Sequence, residues 1–191
     1  MQAIRSFIAI PLAPGVRAAA TRLIRRLQEP GDGIRWVPTE NLHLTLKFLG
    51  DVDNVQVPEI CRELEAVSRP IRPFDLHFAG TGGFPQLERA RTLWVGIDDP
   101  SQRLRQLVAD IEQRMADLGF KPESRDYRPH LTMGRTRSGA RRVTEHLAER
   151  LAAERTAELG EMTADTVVLV ASFLDKRGPT YQTMATFSLE G

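Results

Sequence analysis

The chain has 191 residues, 41% of them apolar and 27% charged, with a formal net charge of +1. That is enough apolar matter for one core, too little chain for a multi-domain machine, and too neutral for a general pull toward nucleic acid. One cysteine excludes an internal disulfide and a four-cysteine zinc site, and no apolar run approaches the ~20 residues that span a bilayer.

Arg5-Ser6-Phe7-Ile8-Ala9-Ile10, with Ala18-Ala19-Ala20 beyond it, has the outline of a signal peptide. Pro11, Pro14 and Arg17 break that outline, and the apolar run is too short. Residues 4–12 are read as a strand, and a cytoplasmic protein is expected. Pro14 opens an amphipathic helix whose apolar face is Val16, Ala20, Leu23, Ile24 and Leu27. Pro30-Gly31-Asp32-Gly33 ends it. A short strand follows at 34–37, a turn at 38–41, and an alternating strand at 42–49. A second helix, 57–67, places Cys61 on its apolar face, where it reads as a small buried hydrophobe.

Residues 74–79 alternate as a strand, 80–85 read as a Gly/Pro-rich loop, and 91–97 as the hairpin partner. Ser101 is the expected cap of a third helix with Leu104, Leu107, Val108, Ile111, Met115 and Leu118 on one face, and Gly119 is its expected end. A polar loop, 121–129, leads to a short strand at 130–133. A fourth helix is expected over 141–158, then two strands, 163–174 and 180–189, joined by 175–179. About eight strands and four helices in mixed order imply an α+β fold with antiparallel sheets.

One short repeat carries chemistry. His43-Leu44-Thr45-Leu46 recurs as His130-Leu131-Thr132-Met133. The other two histidines, His77 and His146, lack the threonine and read as surface residues. On a strand, side chains alternate, so His43 and Thr45 share one face, and His130 and Thr132 share another. Two such strands facing one another make a cleft with two imidazoles and two hydroxyls. In-line cleavage of a phosphodiester needs a base on the attacking side and an acid on the leaving side, and histidine serves as either near neutral pH. Hydroxyls and a guanidinium can hold the phosphoryl oxygens, and Arg135 is the candidate cation. The two histidines could also begin a zinc site, but no Asp or Glu at ligand spacing accompanies either motif. No metal and no cofactor are expected. Two histidines in opposite protonation states imply a bell-shaped pH profile centred near ~6 to 7.

The paired motifs resemble the two-histidine (2H) phosphoesterase superfamily, and within it the bacterial and archaeal RNA 2',3'-cyclic phosphodiesterases, also called 2'-5' RNA ligases. The resemblance extends over Arg5 to Leu12, Arg35-Trp36-Val37-Pro38, Asn41 to Gly50, Leu93-Trp94-Val95-Gly96, Tyr127 to Met133, and the final hairpin. Gly134 departs from it, at a place where a larger residue is usual. The resemblance implies one bilobal domain over 1–191, with two pseudo-symmetric lobes, each an antiparallel sheet flanked by helices, and the active site in the groove between them. It implies hydrolysis of an RNA-terminal 2',3'-cyclic phosphate to a 2'-phosphomonoester. His43 would be the general acid, His130 the general base, and Thr45, Thr132 and Arg135 the phosphate ligands. The residues alone do not say which histidine is acid and which is base.

Tyr127 either stacks on the terminal base or simply packs. The arginines at 125, 128, 135, 137, 141 and 142 could guide an RNA backbone, though Glu123 and Asp126 dilute them. Of the 26 basic residues 23 are Arg, which suits bidentate phosphate contacts, although genomic composition is the better explanation of the bias. The expected partner is RNA with a 2',3'-cyclic phosphate end, the expected protein a monomer with no membrane contact. The alternatives are 2'-5' ligation by the reverse reaction, a small cyclic nucleotide as substrate, and a non-catalytic RNA-binding module. No Walker-type loop is present, so ligation would draw only on the strained ring.

Overall fold

A computed structural model describes residues 3–137, 143–175 and 178–191. The strands are β1 (Ala3–Pro11), β2 (Ile34–Trp36), β3 (His43–Asp53), β4 (Phe74–Phe84), β5 (Thr92–Asp98), β6 (His130–Thr136), β7 (Glu158–Ala164), β8 (Thr166–Asp175) and β9 (Gly178–Ser188). The helices are α1 (Pro14–Leu27), α2 (Val57–Ser68), α3 (Arg103–Asp117) and α4 (Glu145–Ala153). The strands form two antiparallel sheets, in the orders β3-β1-β8-β9 and β2-β6-β5-β4-β7. The molecule is a two-lobed α+β structure, as expected.

The chain shuttles between the lobes. α2 and α3 pack beside the first sheet, while α1 and α4 pack beside the second. One apolar core runs through both lobes, from Ile8, Ile10 and Leu44 to Leu76, Phe78 and Leu131. Each such buried aliphatic or aromatic side chain contributes about 1.5–3 kcal/mol. The opposite face of the first sheet bears a small second cluster, Phe7, Ala9, Val168 and Val170, with Tyr181 against it.

Several boundaries differ from expectation for local reasons. The loop expected at 80–85 is mostly strand. β4 continues to Phe84 through a bulge at Gly80 (φ +71°), and the glycines beyond it admit close neighbours: a Cβ on Gly82 would overlap the Trp94 ring. The fourth helix is shorter, with Thr144 Oγ1 accepting from Leu147 N at 3.2 Å as its cap, and 158–164 is strand. Its expected first residues, and 176–177 of the last turn, lie outside the described residues. Ser101 is not the main cap of α3. The Asp99 carboxylate accepts from Leu104 N at 2.8 Å and from the Ser101 hydroxyl at 2.7 Å. Gly119, at φ +89°, ends α3 as expected. Cys61 is half-buried against the core, and burial pushes its thiol pKa up. Among the described residues no helix is long and apolar enough to cross a membrane.

Candidate active site

The two motifs are built alike. His43 opens β3 and His130 opens β6. The Nδ1 of His43 lies 2.8 Å from the Asn41 carbonyl oxygen, and that of His130 lies 2.7 Å from the Arg128 carbonyl oxygen. A carbonyl oxygen only accepts, so both Nδ1 atoms carry hydrogen, and neither Nε2 is bonded to a described residue. Asn41 is itself buried, with Nδ2 donating to the Pro179 carbonyl at 2.8 Å. The start of β9 thereby holds the residue that orients His43.

A β-bulge follows each motif. On β3, Ala9 faces Thr45 while Ile8 faces Lys47, so Leu46 is the extra residue. On β6, Trp94 faces Thr132 while Leu93 faces Gly134, so Met133 is the extra residue. Each bulge inverts the alternation. Leu46 and Lys47 are both buried before Phe48 emerges, and Met133 and Gly134 are both buried before Arg135 emerges. Arg135 thus shares a face with His130 and Thr132, which strict alternation forbids. Phe48, 59% exposed, stands at the matching position after His43. Gly134 has its own reason: a Cβ there would sit 2.7 Å from Ile34 Cγ2.

The two sets converge. β3 and β6 are neighbours across the lobes. The Tyr127 hydroxyl donates to the Thr45 carbonyl at 3.1 Å, tying the chain just before His130 to the first motif. The Arg135 charge acts on both histidines and on Tyr181. Arg135 Nη1 donates to Thr92 Oγ1 at 2.9 Å, which steadies it. Both histidine pKa values lie below the ordinary 6.5, first because burial disfavours the charged ring and then because of Arg135; the two carbonyls oppose this. On these directions the pH profile of the free protein is expected to lie toward the lower side of the ~6 to 7 read from unperturbed histidines. Neither the Thr45 nor the Thr132 hydroxyl is bonded to another described residue, so both are open to a ligand.

Aromatic rings wall each histidine. Phe7 stacks on His43 with centroids 4.6 Å apart, and Tyr181 meets it edge-on at 5.4 Å. Phe84 meets His130 edge-on at 5.0 Å and leans on Trp94 at 5.2 Å. Tyr127 packs against the core with its hydroxyl engaged. Of the arginine cluster, Arg125 is held by Glu123 at 3.0 Å, and 141 and 142 lie outside the described residues. His77 and His146 bond Glu158 and Glu29 at the surface. Among the described residues no three of His, Cys, Asp and Glu are grouped as metal ligands.

Sequence reasoning missed Asn41, Phe7, Tyr181, Phe84 and Phe48. Only Phe48 left a local signal, since it and Arg135 each follow their histidine by the same interval. It also missed Lys47, whose buried Nζ sits 2.6 Å from Glu112 Oε2 and donates to the Lys121 carbonyl at 3.1 Å. This strut joins β3 to the loop that leads into β6. Lys47→Ala is expected to lower stability by about 2–4 kcal/mol in denaturant unfolding, because it removes the buried ammonium's two contacts and leaves a void where its stem packed.

The model of the family described as "LigT like Phosphoesterase" matches this chain twice, over residues 10–94 and 95–181, with one motif in each half. The chain belongs to that family. It is 31% identical to the RNA 2',3'-cyclic phosphodiesterase of Aquifex aeolicus over the full length of both chains. It is 34% identical to that of Methanothermobacter thermautotrophicus, covering 97% of this chain and 99% of the relative. Among solved structures, TT0787 of Thermus thermophilus superposes with a TM-score of 0.82 at 27% identity, covering 98% and 99% of the two chains. E. coli LigT complexed with 3'-AMP shares the fold, with a TM-score of 0.79 at 22% identity and full coverage of both chains. Membership makes the protein a phosphoesterase, and the double match gives the LigT-like chain the same two-part character that its bulged motifs show.

Proposed function

We propose that this LigT-like phosphoesterase hydrolyses RNA-terminal 2',3'-cyclic phosphates to 2'-phosphomonoesters without a metal. The observation that carries the reading is the pair of Nε2 atoms left available by the Nδ1 contacts, one on each of two neighbouring strands from the two lobes, with the Arg135 charge acting on both rings. The names of the bacterial and archaeal relatives supply the substrate class.

In this mechanism the cyclic phosphate sits between Thr45 and Thr132, with Arg135 on its non-bridging oxygens. Neutral His130 takes a proton from water through Nε2 as the oxygen attacks phosphorus. The P–O3' bond breaks, its electron pair passes to O3', and protonated His43 gives O3' its Nε2 proton. The products are a 2'-phosphate and a 3'-hydroxyl. Burial and Arg135 favour the neutral rings in the free protein; an anionic substrate offsets both effects and permits the one protonation that the reaction needs. Arg135 donors stabilise the charge that builds on phosphorus. Phe48 offers an exposed aromatic face beside the groove for the terminal base.

The test is a short RNA ending in a 2',3'-cyclic phosphate, incubated with the protein in excess chelator, with products identified by phosphorus NMR. A 2'-phosphate formed at the same rate with and without chelator is the expected result. A 3'-phosphate, or activity lost to chelator and restored by zinc, contradicts the mechanism. Joined strands would show ligation, and turnover of cyclic mononucleotides alone would show a small-molecule enzyme.

A further inference from the structure

We infer that Arg35, on the edge strand of the second sheet, holds a second phosphate, that of the linkage 5' to the terminal nucleotide, and so makes an oligonucleotide a better substrate than a cyclic mononucleotide. The inference rests on the phosphodiesterase reading above. Arg35 on β2 pairs directly with Arg135 on β6. Residues opposite one another in an antiparallel pair are about 5 Å apart and point to the same side. Ile34 beside it is buried in the core, and Arg35 is exposed, so its guanidinium emerges on the face that carries His130, Thr132 and Arg135.

Like charges placed directly opposite on a sheet destabilise it. Among the described residues neither guanidinium has a carboxylate partner within ion-pair distance. The acid nearest in sequence, Asp32, is committed elsewhere: it accepts from Trp36 Nε1 at 2.7 Å and from Ile34 N at 2.8 Å. The Arg135 charge acts on both histidines. Arg35 stands one strand further out on the sheet than Arg135, on the edge strand, and the next phosphate of a bound strand is assigned to it on that placement. An anion between or alongside the two arginines relieves their repulsion, and guanidinium suits it by bidentate contact. Arg137, exposed two residues after Arg135, continues the same basic edge.

The experiment compares adenosine 2',3'-cyclic phosphate with the dinucleotide ApA ending in a 2',3'-cyclic phosphate, for the wild type, Arg35→Gln and Arg35→Lys. The wild type is expected to prefer the dinucleotide in kcat/KM. Arg35→Gln is expected to cut that preference about tenfold, the value of one charge-assisted contact. It should also flatten the salt dependence on the dinucleotide. Arg35→Lys should fall between. The ligand-free Arg35→Gln protein should have a Tm at or above that of wild type, which rules out misfolding as the cause. Both substrates cleaved with the preference unchanged in Arg35→Gln would overturn the Arg35 assignment alone. Neither substrate cleaved by the wild type would overturn the phosphodiesterase reading, and this one with it.

Discussion

His130→Ala is expected to lower kcat/KM on a cyclic-phosphate RNA end by about 10²–10⁴-fold, and His43→Ala by a similar factor, with the fold intact. The symmetry of the site sets this expectation. Each ring is fixed by a carbonyl two residues before it, each presents Nε2, and each stands on a strand with Leu or Met packed behind. Asparagine or glutamine in place of either histidine preserves bulk and loses the proton shuttle, so those variants should be as slow as the alanines. Single-turnover kinetics measure the loss, and thermal unfolding checks the fold. Loss confined to one histidine would mean that the other only binds.

Arg135→Gln is the second large effect. It is expected to cost about 10²–10³-fold in kcat, as removal of a donor aimed at developing charge does. It also moves the pH profile in a definite direction. The Arg135 cation lowers the pKa of both His43 and His130, so removing it raises both. The wild-type kcat/KM profile reports the free protein and should centre below pH 6.5, with both limbs shifting to higher pH in the variant. The profile belongs to the coupled pair rather than to either ring. Unmoved limbs in Arg135→Gln would show that the guanidinium does not face the histidines.

The features legible in the sequence were those that need only local rules. Alternation along a strand puts His43 beside Thr45 and His130 beside Thr132, and apolar backing makes both strands rigid. The helical faces of α1, α2 and α3 were equally legible from their spacing, as was Gly119 at a helix end. The bulges were not. A residue added at Leu46 or Met133 changes which side chains share the histidine face, and nothing in the local pattern marks it. Proximity in sequence to His130 makes Arg135 the candidate cation, while strict alternation puts it in the core. The same kind of irregularity hid β7: Leu159 and Met162 are three apart, a helical interval, because Gly160 at φ +100° accompanies a bulge. In β4 the glycines read as loop because their reason, the Trp94 ring lying over Gly82, is a contact from another strand. Phe7, Tyr181 and Phe84 reach the histidines from strands distant in sequence, and no motif spacing encodes that.

The central claim is that His43 and His130 act on one phosphorus atom as a single catalytic unit. The most direct test is the double-mutant cycle: kcat/KM for wild type, His43→Ala, His130→Ala and the double variant on the same cyclic-phosphate RNA end. Groups acting in one concerted step are strongly non-additive. The double variant is therefore predicted to be about as slow as either single one. Losses that multiply would contradict the claim, and would assign the two histidines to independent tasks.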